Sequence, residues 1–318
     1  MASILDEVRV ACARVADQAR WVRIDDARLE AYAGSLPGQA AMEGVASKYY
    51  YAGTPEETSA FVLTFTSVNF SSGWNPHLRK LPGSSGSITL MTRLRQRFEE
   101  KGAMTADELA GITAGDCAAL FGQVIEPPVD ELMDLFAQGW NDLGRYLLER
   151  FDGSFSGVVE AAGHSAERLI ELLLAMPLYR DIARYRGSDV PLLKRAQIAS
   201  ADLSAAFGGQ GPGRFDDLAR LTIFPDNLVP HVLRLDGVLE YDEELIERIN
   251  REELLAHGSE EEVEIRAVAV HAVERIVDVC RGQGREITAA RLDDHLWLKG
   301  QGTSYKAVPR HRCRNPHY

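Results

Sequence analysis

Asp226 is the residue with the most chemical promise, in the segment LTIFPDNLVPHVLR that runs from Leu221 to Arg234. It precedes an apolar run in which Pro230 falls in the first helical turn and Gly237 can terminate the helix, so Asp226 stands at the N-cap. A carboxylate there accepts backbone N–H groups and faces the positive end of the helix dipole, and both favour its ionised form. A fixed negative charge suits an oxocarbenium-like sugar cation during glycosidic cleavage, whether the carboxylate attacks C1′ or only stabilises charge and positions water. Taken alone, the same residue also reads as a plain cap. Phe224, two residues earlier on extended chain, suits stacking on a flat base, and equally suits a core.

Near the end of the chain, Asp293 and Trp297 are i and i+4 neighbours on a helix, so a carboxylate and an indole share one face. Aspartate can accept hydrogen bonds from the N1–H and exocyclic amine of a guanine-type edge, and the indole offers a stacking plane. An amphipathic terminal helix with a core tryptophan fits the same spacing. In KRAQIASAD, Lys194, Gln197 and Ile198 lie together on a helix and Asp202 follows four residues after Ile198. Lys194 and Arg195 by themselves read as solvated charge. A buried Asp202 would say more, because AQIASADLSAAF is otherwise small and apolar.

The elements that must position these residues are helices. Thr54-Pro55-Glu56-Glu57 combines a capping box with proline at the first helical position. Thr105 opens a shorter helix, Pro128 to about Glu149 forms a long amphipathic one, and Ser165 caps AERLIELLLA before Pro177 stops it. Pro191 to Phe207 reads as helical, and GGQGPG at 208–213 breaks it. Ser259 caps a helix of about 22 residues through Ile265, Val268, Ala272, Ile276 and Val279, which Gly282 can close. Strand signals are thin, so an all-α fold with one short hairpin is expected. GSSGS at 83–87 lacks a P-loop lysine and reads as a linker. A single domain over 1–318 is expected, with a candidate lobe boundary at 208–213.

Composition narrows the function. The formal net charge is −12, which opposes a phosphate track for DNA or tRNA but leaves room for a pocket holding one phosphate monoester. Arg93-Leu-Arg95-Gln-Arg97 reads as a solvated helix face, and Arg310-His-Arg312-Cys-Arg314 as a basic tail. The four cysteines, Cys12, Cys117, Cys280 and Cys313, never form a C-x-x-C pair, so neither a zinc site nor a disulfide framework is suggested. No metal and no cofactor are expected. The N-terminal stretch lacks a signal-peptide core and no run approaches a membrane span of about 18 apolar residues, so a cytoplasmic protein free of membrane contact is expected.

Several collinear motifs resemble the queuosine salvage family. The family pattern runs K-R-A-Q-I…A-D, aromatic-Ala-Asp-Tyr-Arg-x-Pro-Gln-Val-Leu, E-V-E-I-R, D-x-x-L-W and H-R-x-R-x-x-Y. This chain has KRAQIASAD, FPDNLVPHVLR, EVEIR, DDHLW and HRCRNPHY in the same order, and Val68-Asn69-Phe70 before Trp74 resembles L-N-F-x-x-W with one residue more. The resemblance covers about residue 45 to the terminus. It implies a mostly helical architecture similar to helical DNA glycosylases, and hydrolysis of queuosine 5′-phosphate to queuine, which is reused for tRNA. It implies Asp226 as nucleophile or transition-state stabiliser, Phe224 beside the base, and Asp293 and Trp297 in the base pocket. Lys194, Asp202 and Asn69 complete the substrate-binding set. Pro225 replaces the pattern's alanine, Asn227-Leu228 its Tyr-Arg, and His231 its glutamine. If that arginine touches substrate, the contact is either absent here or supplied elsewhere. The alternatives are a base-excision enzyme on DNA and a non-catalytic nucleotide-binding protein.

Overall fold

The computed structural model describes residues 3–42 and 49–318. From the N-terminus come α1 (Ile4–Gln18), β1 (Val22–Ile24) and α2 (Asp26–Ser35). Seven helices follow: α3 (Pro55–Ser67), α4 (Gly86–Lys101), α5 (Ala106–Gly111), α6 (Ala114–Phe121), α7 (Val129–Phe151), α8 (Phe155–Ala161) and α9 (Ala166–Leu173). Next are β2 (Ile182–Tyr185), β3 (Ser188–Pro191) and α10 (Lys194–Ala206). The chain then forms α11 (Val229–Leu235), β4 (Leu239–Tyr241), α12 (Glu243–Asn250), α13 (Glu260–Gly282), α14 (Ala289–Lys299) and α15 (Thr303–Lys306). Helix dominates, as the sequence leads one to expect.

Strand occurs, among the described residues, as two antiparallel pairs. The hairpin β2–β3 aligns Tyr185 with Ser188 and turns on Arg186 and Gly187, whose φ angles are 46° and 83°. Two positive φ values in a two-residue loop match the twist of the flanking strands. The other pair, β1 with β4, brings Ile24 opposite Leu239. Its partners are remote in sequence, so no local turn signal announces it.

Residues group into two compact units. The first comprises 3–42, Asp181–Lys194 and Ala219–Arg314; the second comprises 49–180, Arg195–Leu218 and Asn315–Tyr318. In the first, α13 packs against α1, α2, α11 and α14 and is buried without interruption from Glu262 to Val270. A helix covered on every side belongs at the centre. Its charged residues must then find partners inside. Glu264 accepts the N–H groups of Arg20, Trp21 and Val22 at 2.9, 2.6 and 3.2 Å and the Tyr185 hydroxyl at 2.7 Å. One carboxylate thereby fixes the entry to β1 and the hairpin together.

In the second unit, α3 plays the same central part: every residue from Thr58 to Ser67 is buried. The expected Thr54–Glu57 capping box is present at its start. On α7, Leu132, Phe136, Trp140, Leu143 and Leu147 form the buried stripe. Two readings shift. Pro191 belongs to β3 rather than to α10, which begins at Lys194; and Ser85, within the supposed linker, caps α4 by accepting the Ile88 N–H at 3.3 Å. The glycine run at 208–213 lies inside the second unit, and the chain returns to the first unit after Leu218.

At Gly144 α7 approaches α5 so closely that a Cβ would strike the backbone of Ala106 and Ala110. Backbone atoms cannot swing aside as a side chain would. Gly144→Ala should therefore destabilise the protein by about 1–3 kcal/mol or more, read from urea unfolding midpoints. An unchanged midpoint would contradict this packing.

Candidate functional site

Helix α11 begins at Val229, with Leu228 as its N-cap and Pro230 in the first turn. Asp226 thus sits two residues earlier than the N-cap position expected for it. Its side chain still does the capping, because one oxygen accepts the Leu228 N–H at 2.7 Å and the Val229 N–H at 3.2 Å. The helix has only seven residues, so these two N–H bonds, rather than a long dipole, position the side chain. Gly237, at φ 81°, ends the helix and turns the chain into β4. Asp226 itself is half-buried.

Helix α14 is capped by Thr288 and supplies Asp293 and Trp297. Asp293 is buried and accepts the backbone N–H of Phe224 at 2.8 Å. Phe224 is itself buried, while Trp297 is half-exposed. The carboxyl of Asp293 is pushed well above the ordinary carboxylate value, first by burial, then by the negative charge of Asp226 and, more weakly, of Asp294. The Phe224 N–H and the Lys194 ammonium act against that rise. Arg310 stands near enough to feel Asp226: burial lowers its guanidinium, and the aspartate charge works in the opposite direction. Phe224, Asp226, Asp293, Trp297, Lys194 and Arg310 therefore all belong to the first unit.

A buried scaffold holds this segment. Arg266 donates to the Pro225 carbonyl at 2.9 Å, directly before Asp226. Its other nitrogens bind Asp181 at 3.0 and 2.6 Å, with Glu262 at 3.6 Å. Asp181 in turn accepts the backbone N–H of Lys194 at 3.1 Å. Position 226 and the start of α10 are thereby referred to one guanidinium.

The remaining sequence candidates lie in the second unit. Asp202 is buried there and accepts the Tyr50 hydroxyl at 2.7 Å; Asn69 is half-buried after the end of α3. Trp74 is a core residue whose indole N–H reaches Glu131 at 3.1 Å. Lys194 and Arg195 are both buried, against the expectation of solvated charge. Arg195 lies over the rings of Phe70 and Tyr179, at 4.7 and 5.0 Å, and donates to the Ser67, Leu178 and Pro316 carbonyls. The cluster on α4 is neutralised locally, Arg95 by Glu99 at 2.8 Å and Arg97 by Glu108 at 3.3 Å. A groove of about 580 Å³ beside it mixes Arg93, Arg97 and Lys101 with Glu100, Glu108 and Asp116, so it offers no single-sign surface. Sequence reasoning missed Arg266 and Arg310 as parts of the site. The signals were present, a cation in the buried stretch of a helix and a basic residue in a terminal motif, but neither discloses its partner.

A family model described as the queuosine salvage protein matches residues 49–318. The chain belongs to the queuosine salvage protein family. A relative from Sphaerobacter thermophilus is 36% identical over 311 residues, covering 96% of this chain and 95% of that protein. One from Mus musculus is 37% identical, covering 56% of each, and one from Dictyostelium discoideum is 37% identical, covering 65% of this chain and 63% of its own. All three are named queuosine 5′-phosphate N-glycosylase/hydrolase.

Where the family pattern has glutamine, this chain has His231. Its Nε2 lies 2.9 Å from the Tyr305 carbonyl and so carries the hydrogen, while Nδ1 is 3.3 Å from an Arg234 nitrogen and accepts. Burial, opposed by the Tyr305 carbonyl and aided by the Arg234 and Arg310 charges, brings its pKa down from 6.5 to about 4. His311 is lowered likewise to about 3, again mainly by burial. In the unfolded chain these imidazoles take protons at higher pH than in the fold, so the unfolded state binds more protons between the two values. Stability should be fully present above about pH 6.5 and fall as the pH drops toward 4. His231→Gln should flatten part of that decline, measured by denaturant unfolding at pH 7 and pH 5; an identical decline would count against the assignment.

Proposed function

We propose that the chain hydrolyses the N-glycosidic bond of queuosine 5′-phosphate, releasing queuine for reuse in tRNA modification. The observation that carries this reading is the match, over nearly the whole chain, to a protein named for that reaction. Asp226 is the proposed catalytic group: anchored by two N–H donors, its carboxylate faces C1′ and stabilises the ribosyl cation as the base departs, while water supplies the new bond. Phe224, Asp293 and Trp297 form the base pocket. Lys194 and Arg310 hold the 5′-phosphate. The net charge of −12 supports a small-molecule substrate over a nucleic acid. Among the described residues no helix is long and apolar enough to cross a membrane, and the four cysteines are buried thiols, in keeping with a cytoplasmic location.

Incubation with queuosine 5′-phosphate and chromatography for queuine tests the reading, and absence of release ends it. Asp226→Asn should lower kcat by about 100-fold or more with KM little altered; an unchanged kcat would retire Asp226. Arg310→Ala should raise KM for the nucleotide about tenfold, the loss of one charge-assisted contact, and leave queuosine nearly unaffected. Equal losses on both substrates would remove Arg310 from the phosphate.

A further inference from the structure

We infer that Asp293 is the acid that protonates the departing base, an assignment that rests on the reading of Asp226 as the group facing C1′. The geometry is that of two carboxyls gathered on one short piece of backbone. Asp293 accepts the N–H of Phe224, and Phe224 lies two residues from Asp226, which limits their Cα separation to about 7 Å. The Asp226 charge acts on Asp293, second only to burial, and of two carboxyls that interact the proton favours the one whose charge is less well supported.

The support is unequal. Asp226 is half-buried and accepts two backbone N–H groups. Asp293 is only 5% exposed and accepts that of Phe224 through Oδ1. The charges that act on it are Asp226, Asp294 on its own helix, itself paired with Arg291 at 3.8 Å, and Lys194 from the start of α10. Burial first, and the Asp226 charge second, raise its proton affinity. With Oδ1 engaged as an acceptor, Oδ2 is the oxygen through which a protonated Asp293 would donate to a ligand beside Phe224.

Chemistry requires such a donor. The base of queuosine is a 7-deazaguanine, whose position 7 is carbon, so protonation there, the usual aid to purine departure, is unavailable. N3 retains a lone pair. As the C1′–N9 bond breaks, its electron pair passes to N9 and the Asp293 hydrogen passes to N3, so the base leaves as a neutral tautomer. The sugar is left as an oxocarbenium ion facing Asp226. Water then bonds to C1′ through oxygen and gives a proton to the Asp293 carboxylate, which restores the starting acid. The products are queuine and ribose 5-phosphate.

The test is Asp293→Asn, which keeps a carbonyl oxygen for the Phe224 N–H and removes the acid. Its kcat on queuosine 5′-phosphate should fall by about 100-fold or more, with KM changed by only a few-fold. Wild-type kcat should also decline at alkaline pH through a limb that the variant lacks; titration of the substrate itself appears in both profiles and cancels in the comparison. A KM increase with kcat retained would make Asp293 a binding residue only, and a surviving alkaline limb would likewise overturn the assignment. If Asp293→Asn does not fold, Asp293→Glu carries the test. An acid displaced by one methylene should keep an alkaline limb at a shifted pH, and a limb unmoved from wild type overturns the proposal. Failure of the unmodified protein to release queuine would end the functional reading itself, whereas release indifferent to Asp293 ends this inference alone.

Discussion

The ion pair between Arg266 and Asp181 is the constraint on which the first unit depends. Both side chains are almost wholly removed from water, and a buried charge is tolerable only when its partners are close and well aligned. Asp181 meets that condition with two short bonds from one guanidinium. The guanidinium's Nε donates to the carbonyl of Pro225, and the carboxylate also accepts the N–H that opens α10. The pair contributes little net stability once desolvation is set against attraction. What it supplies is a fixed relation between the central helix, the hairpin, the start of α10 and the loop bearing Asp226.

The alternate charges of Glu-Val-Glu-Ile-Arg on α13 make sense in the same way. Glu262, Glu264 and Arg266 are all buried, where unpaired charge would cost several kcal/mol each. Glu264 gathers three successive N–H groups and a tyrosine hydroxyl; Glu262 stands beside Arg266. Packing alone would allow this helix to rotate or slide. Directional partners fix its register, and Asp226 inherits that precision through Pro225.

Positions where the chain departs from its family pattern are used to seat the C-terminal segment. Asn227 donates to the His311 carbonyl at 3.4 Å, His231 bonds the Tyr305 carbonyl, and Arg234 donates to the Pro309 carbonyl at 3.0 Å. Leu228 comes so near Gly300 that a Cβ there would lie 2.8 Å from it. Asp236 adds an anchor, accepting Lys299 at 2.8 Å and the Tyr305 hydroxyl at 2.6 Å. The segment that carries Arg310 is thus bound to α11 and α14 along its length.

Much was legible in the residues themselves. Thr54, Thr105, Ser165 and Ser259 announce helix starts because capping is a local transaction between a side chain and an N–H three residues away. The i, i+4 spacing of Asp293 and Trp297 follows from helical geometry alone, and the collinear motifs declare the family. The partner of each buried charge was not legible. Arg266 and Asp181 are 85 positions apart, as β1 and β4 are remote from each other, and no periodicity in the chain relates such pairs. Nor could the residues say that Asp293 is buried against the N–H of Phe224, because that depends on contacts remote in sequence. Sequence determined the helices, the capping chemistry and the ancestry; the tertiary structure decided the pairings and which charges are buried, since charge interactions act through space rather than along the chain.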